Sequence, residues 1–465
     1  MELCRKFNER VTNRPGKPKP SGRTKDGIAE VTGVQTHMRR GGECRFLFLQ
    51  GPHGPFFQQL SEQLRASGAE VFRVGFNAGD EAFWKERQNF IRYNEPAGNW
   101  PDRFAEILTQ KAITDLVLYG DVRPIHAHAV AIAKARGITV HVFEEGYLRP
   151  YWVTYERGGS NGNSRLMSLE LDEMRAALEQ SDVELPGVPA HWGDMRQHVW
   201  FGALYHWHVM FRNRHYTHFR PHRSLPVTRE FQLNLNRLLL MPAHWLDRKL
   251  ATHRISHGCF PYHLVLLQLE HDSSFQEHGP FETMTDFLEI CIRGFAEGAP
   301  KHHHLVFKAH PLEDGRTPLR KDVLRLAREH DVPDRVHYVR GGKLAALLDH
   351  ARSAVTVNST AGQQALWRGL PIRAFGKAVY AKPEFVSTQP IGAFFAHPTK
   401  PDSRAYRDYR SYLLETSQIT GGFYSADGRR QLLRQVVDMM LAPLDPYDAL
   451  ATGTAAPRHQ LQSAS

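Results

Sequence analysis

Residues 353–376, SAVTVNSTAGQQALWRGLPIRAFG, constrain this chain more than any other stretch. The apolar and β-branched run 354–357 reads as a buried strand, 361–367 reads as a helix, and only Asn358, Ser359 and Thr360 separate them. Such a unit belongs to a parallel α/β sheet. Its loop gathers backbone N–H groups that a first helical turn leaves unpaired, at the positive end of the helix dipole, which makes a phosphate site. Upstream, 305–311 (LVFKAHP) reads as a second strand ending in Lys308, His310 and Pro311. If the two strands are neighbours in one sheet, Lys308, His310, Ser359 and Thr360 converge on one rim, where open α/β sheets bind ligands. A helix cap and a turn explain the same letters taken singly; the pair in this order favours a site.

A chain of 465 residues exceeds one ordinary core and implies two domains of roughly 180 residues each. The expected layout is α/β, with two Rossmann-like doubly wound domains facing a cleft. A disordered basic arm occupies 1–42, a first domain 43–235, a linker 236–262, a second domain 263–445 whose last helix can cross back, and a disordered tail 446–465. The net charge of +10 is concentrated in the first forty residues, with ten Lys/Arg against four Asp/Glu. Such an arm suits an anionic membrane surface or nucleic acid. Cys4, Cys44, Cys259 and Cys291 lack metal-ligand spacing, so neither a zinc site nor a disulfide framework is expected. No apolar run approaches the ~20 residues of a membrane span, and the N-terminus has charges where a signal peptide needs an apolar stretch. Both point to the cytoplasm.

From Arg45 the chain alternates strand, loop and helix. An apolar run at 46–49 leads into the tight loop Gly51-Pro52-His53-Gly54-Pro55, which is neither a dinucleotide fingerprint nor a P-loop. A strand at 115–119 runs into Gly120-Asp121, with Arg123 and His126 opening the next helix; another, from 138, ends in Glu144-Glu145. Successive carboxylates at a strand end face opposite sides, so one can enter a cleft while the other holds the loop. The second domain repeats the pattern, with a strand at 263–269, a polar loop at 270–279 containing Asp272 and Ser274, and a helix at 281–295. Residues 205–223 crowd histidines and arginines among aromatics without a recognisable ligand spacing. They read as a basic aromatic face for an anionic headgroup or sugar acid, or as a solvated helix.

Together FLQGPHGPFF, YGDVRPIH, VFEEGYLRP, LLQLEHDSSFQEHGPF, FKAHPL, VTVNSTAGQQALWRGLPIRAFGKAVY and ITGGFYS resemble the bacterial capsule polysaccharide export and biosynthesis proteins of the KpsS type, a β-Kdo transferase family. The resemblance spans residues 46–433. It implies a GT-B arrangement and a retaining, metal-independent glycosyltransferase that moves Kdo from CMP-Kdo to a phosphatidylglycerol-type lipid, starting the linker of a capsular polysaccharide. No cofactor is implied beyond this donor. Lys308, His310, Pro311, Asn358, Ser359 and Thr360, with Gln268 and Ser274, would hold the CMP-sugar. Asp272 is the candidate nucleophile, Glu145 or Glu144 the acid/base, and Asp121 the reserve for either role. His53, Arg123, His126 and Arg149 would meet the lipid headgroup. The loop Glu270-His271-Asp272 adds a histidine and a second acid to the family pattern. Implied partners are the inner face of the inner membrane, a companion Kdo transferase and the capsule exporter, with no nucleic acid. Two other functions use the same letters: a non-catalytic accessory that holds lipid-linked glycan during export, and a transferase of a different CMP-sugar.

Overall fold

The structure is a computed structural model that describes residues 41–180, 195–219, 241–313 and 315–455. The expected arm at 1–42 and the end of the expected tail lie almost wholly outside the described residues. β1 (Arg45–Phe48) and β2 (Glu70–Gly75) run parallel, joined through α1 (Phe56–Ala66), whose Phe56, Phe57, Leu60 and Leu64 are buried. Gly51 is required in the connecting loop, because a Cβ there would lie 2.4 Å from the Phe57 ring. Gly54 turns at φ +120°, a conformation that residues with a Cβ avoid. The short α2 (Ala78–Ala82) follows β2, and β3 (Phe90–Arg92) forms the edge.

β4 (Asp115–Tyr119) leads to α3 (Pro124–Ala135), which starts on proline, whose missing N–H costs nothing in a first turn. β5 (Thr139–Glu145) carries both glutamates inside the strand. β6 (Trp152–Arg157) returns antiparallel to β5, a strand that the alternating pattern did not announce. The middle of the chain supplies α4 (Met195–Phe211) and α5 (Met241–Ser256), the latter within the stretch expected as a linker.

The second sheet begins with β7 (Tyr262–Leu266). The expected loop at 270–279 instead contains α6 (Ser273–His278), since Asp272 caps Ser274 N–H, and α7 (Met284–Gly298) follows. Then come β8 (His304–Lys308), β9 (Val336–Val339), β10 (Ala351–Thr356), α8 (Gly362–Trp367) and β11 (Ile372–Ala374). All these strands are parallel. Their order is β11-β10-β7-β8-β9, and the first sheet, with a last strand β12 (Gln418–Thr420), is ordered β12-β6-β5-β4-β1-β2-β3. Each parallel core therefore has the Rossmann order, in which the connection direction reverses beside the first strand. The reversal lies between β1 and β4 in one sheet and between β7 and β10 in the other. β8 and β10 are consequently not neighbours; β7 separates them, placing their ends roughly 10 Å apart.

After α9 (Ser403–Glu415) the chain returns to the first half. β12 (Gln418–Thr420) pairs antiparallel with β6, and α10 (Ala426–Leu441) buries Leu432, Val436 and Met440 against Phe46, Phe56 and Phe57. The return thus begins with a strand, earlier than the final helix to which it was assigned. α11 (Pro446–Ala451), expected as disordered tail, is a helix whose Tyr447 and Leu450 are buried in a cluster with Leu166 and Tyr412. That cluster also joins Tyr147 and Trp152 of the first half to Leu264 and Tyr380 of the second, so one apolar core spans both sheets.

Candidate active site

On the first sheet, the loops after β1, β4 and β5 form one rim. Glu144 lies beside Gly120, where a Cβ would stand 3.2 Å from Oε2, and its Oε1 accepts the Glu145 N–H at 3.1 Å. The side chain keeps a partly accessible surface, but protein encloses it on most sides. Burial raises its pKa to about 7; Glu145 and Asp272 add to the rise, while the Glu145 N–H and Arg123 oppose it. Glu145 accepts from the Tyr119 hydroxyl at 3.5 Å. Tyr424 and His198 sense its charge, and their rings stack at 3.8 Å. The half-buried Arg123 side chain makes no hydrogen bond or ion pair among the described residues, and its guanidinium lies 5.9 Å from the Tyr119 ring centre.

Other residues assigned to this rim have structural work. Asp121 is buried and accepts from Ser160 N, Ser160 Oγ and Asn163 Nδ2 at 3.1, 3.3 and 3.1 Å, which ties down the loop after β6. His126 corrects the expectation of a headgroup ligand: it is fully buried, with Nδ1 2.6 Å from the Gly120 carbonyl oxygen. Arg149 is exposed beyond the rim and donates to Gly146 O at 3.4 Å. His53 remains half-exposed, stacked on Tyr205 at 4.2 Å.

On the second sheet, the loops after β7 and β10 are braced across the reversal point. Gln268 donates to Asn358 Oδ1 at 2.7 Å and accepts Asn358 N–H at 3.0 Å, while Asn358 Nδ2 donates to Ser274 O at 2.7 Å. Gln268, Asn358 and the Ser274 backbone therefore shape the loop. The groups turned outward are those of the next two residues. Ser359 Oγ accepts Ala361 N–H at 3.3 Å, and its carbonyl accepts the Tyr380 hydroxyl at 2.6 Å. Thr360 has a hydroxyl and an N–H without a partner among the described residues. α8 begins only at Gly362 and has six residues, so local N–H groups rather than a long dipole would meet an anion here.

Lys308, at the end of β8, is buried; its ammonium donates to Ala309 O at 3.3 Å and has no carboxylate partner among the described residues. Desolvation lowers its pKa to about 8. His310 is half-exposed and accepts Leu312 N–H on Nδ1 at 3.2 Å; Pro311 is exposed beside it. Asp272 is exposed, with Oδ1 accepting Ser274 N–H at 3.4 Å.

The two rims meet. Asp272 acts on the Glu144 carboxyl from the opposite sheet, Gln363 donates to Tyr147 O at 3.1 Å, and Lys382 donates to Leu166 O and Leu169 O at 2.7 and 2.6 Å. Gly162 of the first half packs on His278 of the second so closely that a Cβ would lie 2.5 Å from Nδ1. Sequence reasoning missed His278, Tyr119, Tyr424 and His198. Tyr119, His278 and Tyr424 lay within quoted motifs, yet only the packing of distant segments makes them part of this site.

A family model described as capsule polysaccharide biosynthesis protein matches residues 114–424. The capsule polysaccharide modification protein LipB of Neisseria meningitidis serogroup A is 32% identical over 386 residues, covering 82% of this chain and 91% of that protein. The capsule polysaccharide export protein KpsS of Escherichia coli is 31% identical over 388 residues, covering 82% and 97%. Among solved structures, Thermosulfurimonas dismutans KpsC, a β-Kdo 2,7 transferase, matches 85% of this chain and 99% of its own at 12% identity and a TM-score of 0.41. With the family model covering well over half of the sequence and two curated relatives above 30% identity along most of it, the chain belongs to the capsule polysaccharide biosynthesis family, among its KpsS-like members.

Proposed function

We propose that this protein is a retaining glycosyltransferase that moves Kdo from CMP-Kdo to a phosphatidylglycerol-type lipid at the inner face of the inner membrane. The reading is supported above all by one observation: Glu144 on the first rim and Asp272 on the second lie within each other's field, with Glu144 held near neutrality. Two carboxylates on facing rims, one of them poised near the working pH, suit a double displacement.

In that scheme the Asp272 carboxylate attacks the anomeric carbon of Kdo. The bond to the CMP phosphate breaks, and the leaving phosphate keeps the electron pair. Lys308 and the unpaired Thr360 N–H and hydroxyl meet that charge, so stabilisation arises where charge develops. The lipid hydroxyl then attacks the sugar, Glu144 takes its proton, and Asp272 leaves as the free carboxylate. Capping of Ser274 by Asp272 holds the nucleophile in place before reaction. Arg123 draws an anionic headgroup to the rim beside Glu144. Asp121 acts as a positioning residue, and Gln268 and Asn358 shape the donor loop. Companion transferases and the capsule exporter follow in use, since a lipid-linked primer must be extended and moved.

The test is to incubate the protein with freshly made CMP-Kdo and a phosphatidylglycerol analogue, weigh the lipid product and measure CMP. Transfer should be lost in Glu144→Gln and Asp272→Asn with CMP binding kept. Full activity in both variants would refute the roles. No CMP release with any acceptor would favour an accessory of export, and turnover only with another CMP-sugar would reassign the donor.

A further inference from the structure

Helix α4 has two unlike faces. Inward, Tyr205 accepts from Asn77 Nδ2 at 2.7 Å and donates to Asp80 Oδ1 at 3.2 Å, and its ring lies where a Cβ on Gly79 would be only 2.6 Å away. The same face carries His198, stacked on Tyr424 beside Glu145. Outward, Val199, Trp200, Trp207 and Phe211 are 63, 64, 42 and 68% exposed. Positions 200, 207 and 211 recur on one side of a helix, so these rings form a stripe rather than scattered exposures. A contiguous apolar patch of this kind marks an interaction surface.

The charge around the stripe selects the occupant. Residues 195–219 contain no Asp or Glu, Arg196, Arg212 and Arg214 are exposed, and the Arg212 guanidinium lies 5.2 Å from the Trp207 ring centre. α5 repeats the chemistry, with Trp245 and Leu250 48 and 62% exposed and Lys249 Nζ 4.7 Å from the Trp245 ring centre. The centres of protein interfaces are depleted in lysine. Tryptophan interleaved with cations instead matches the boundary between acyl chains and anionic headgroups. Among the described residues no helix is long and apolar enough to cross a membrane, so this contact is one of surface insertion.

We infer that the outward face of α4 docks on an anionic lipid bilayer, with Trp200, Trp207 and Phe211 entering the headgroup boundary. The docking stands on exposure and charge alone. Its use, bringing a lipid hydroxyl to Glu144 beneath the same helix, rests on the transferase reading.

The test compares the full chain with a Trp200→Ser/Trp207→Ser/Phe211→Ser variant on vesicles of phosphatidylcholine with and without about a third phosphatidylglycerol. The unaltered protein should prefer the anionic vesicles, release from them at high salt, and show tryptophan quenching by brominated acyl chains. The triple variant should bind about a hundredfold more weakly and lose most of that quenching, while its melting temperature and its CMP release with a soluble glycerophosphate acceptor stay unchanged. Should it fail to fold, Arg212→Glu/Arg214→Glu carries the test, with about tenfold weaker binding expected. Unchanged binding and quenching in a folded variant overturn the inference. So does dissociation of a self-associated form by the triple change with vesicle binding intact, which would make the stripe a protein interface. Vesicle binding without CMP release in the unaltered protein keeps the docking surface and overturns only the transferase reading.

Discussion

The two sheets share a strand order, yet their rims are electrostatic opposites. The first presents carboxylates, with burial raising the Glu144 pKa to about 7. The second presents a cation, with burial lowering the Lys308 pKa to about 8. In both cases desolvation moves a charged group toward neutrality. The closed ends of the sheets differ in the same spirit. At the start of β4, Asp115 partners His141 at 2.9 Å, an acid beside a base. In the second sheet His263 sits 3.0 Å from His303 and 2.8 Å from Ser353 with no acid beside it among the described residues, and burial lowers its pKa to about 3. Under the proposed transferase reading, one architecture would serve two tasks: an acid/base rim beside a rim that receives phosphate.

Removal of the Asp272 carboxylate from the second rim should have the most severe effect. Asp272→Asn is expected to lower the transfer rate at least about 10⁴-fold, as loss of a covalent nucleophile does. It should also move the Glu144 titration to lower pH, because a repelling charge is gone; a pH series of the residual rate checks this. Glu144→Gln is expected to cost about 10²- to 10⁴-fold in kcat with KM for CMP-Kdo little changed. A Glu145→Gln variant with the larger loss would exchange the roles of the two neighbours. Lys308→Met should weaken CMP binding roughly 10- to 100-fold, the worth of one hydrogen bond to a charged group. Calorimetry with CMP decides it, and unchanged affinity would remove Lys308 from the donor site.

The smallest effect concerns stability. His263 is held neutral in the folded chain, so between its folded value of about 3 and the ordinary 6.5 the unfolded chain binds the extra proton. Stability therefore falls as pH drops below about 6.5, by about 2 kcal/mol from this residue at pH 5. His303 and His337, lowered to about 4, act in the same direction. Hydrogen exchange between pH 7 and 5 should show β7 and β8 losing protection before β4 and β5. Equal loss in the two sheets would show that the acid-free cluster is not the weak point.

Much of this was legible because strands buried on both faces are continuous apolar runs, as in β1, β4 and β7, and helices between them carry a periodic stripe. Polar residues at strand ends were legible as well, which is how Glu144, Lys308 and Thr360 became candidates, whereas Asp272 was singled out by the family resemblance. β6 and β12 were not, since short antiparallel strands have no signature apart from their partners. α11 looked polar because only Tyr447 and Leu450 anchor it. His126, chosen as a polar letter at a helix start, proved to be a core residue bonded to the Gly120 carbonyl.

Local letters by themselves determined the repeated strand and helix units, the loops of small polar residues and the sign of charge near each rim, because backbone propensity and burial period act over a few residues. Tertiary structure alone decided that β7 would stand between β8 and β10, that Gln268 and Asn358 would brace one another, and that Glu144 would feel Asp272. Those outcomes depend on contacts between segments far apart in the chain. The electrostatics of a buried carboxyl is set by what surrounds it in space, and that neighbourhood exists only once both sheets are assembled.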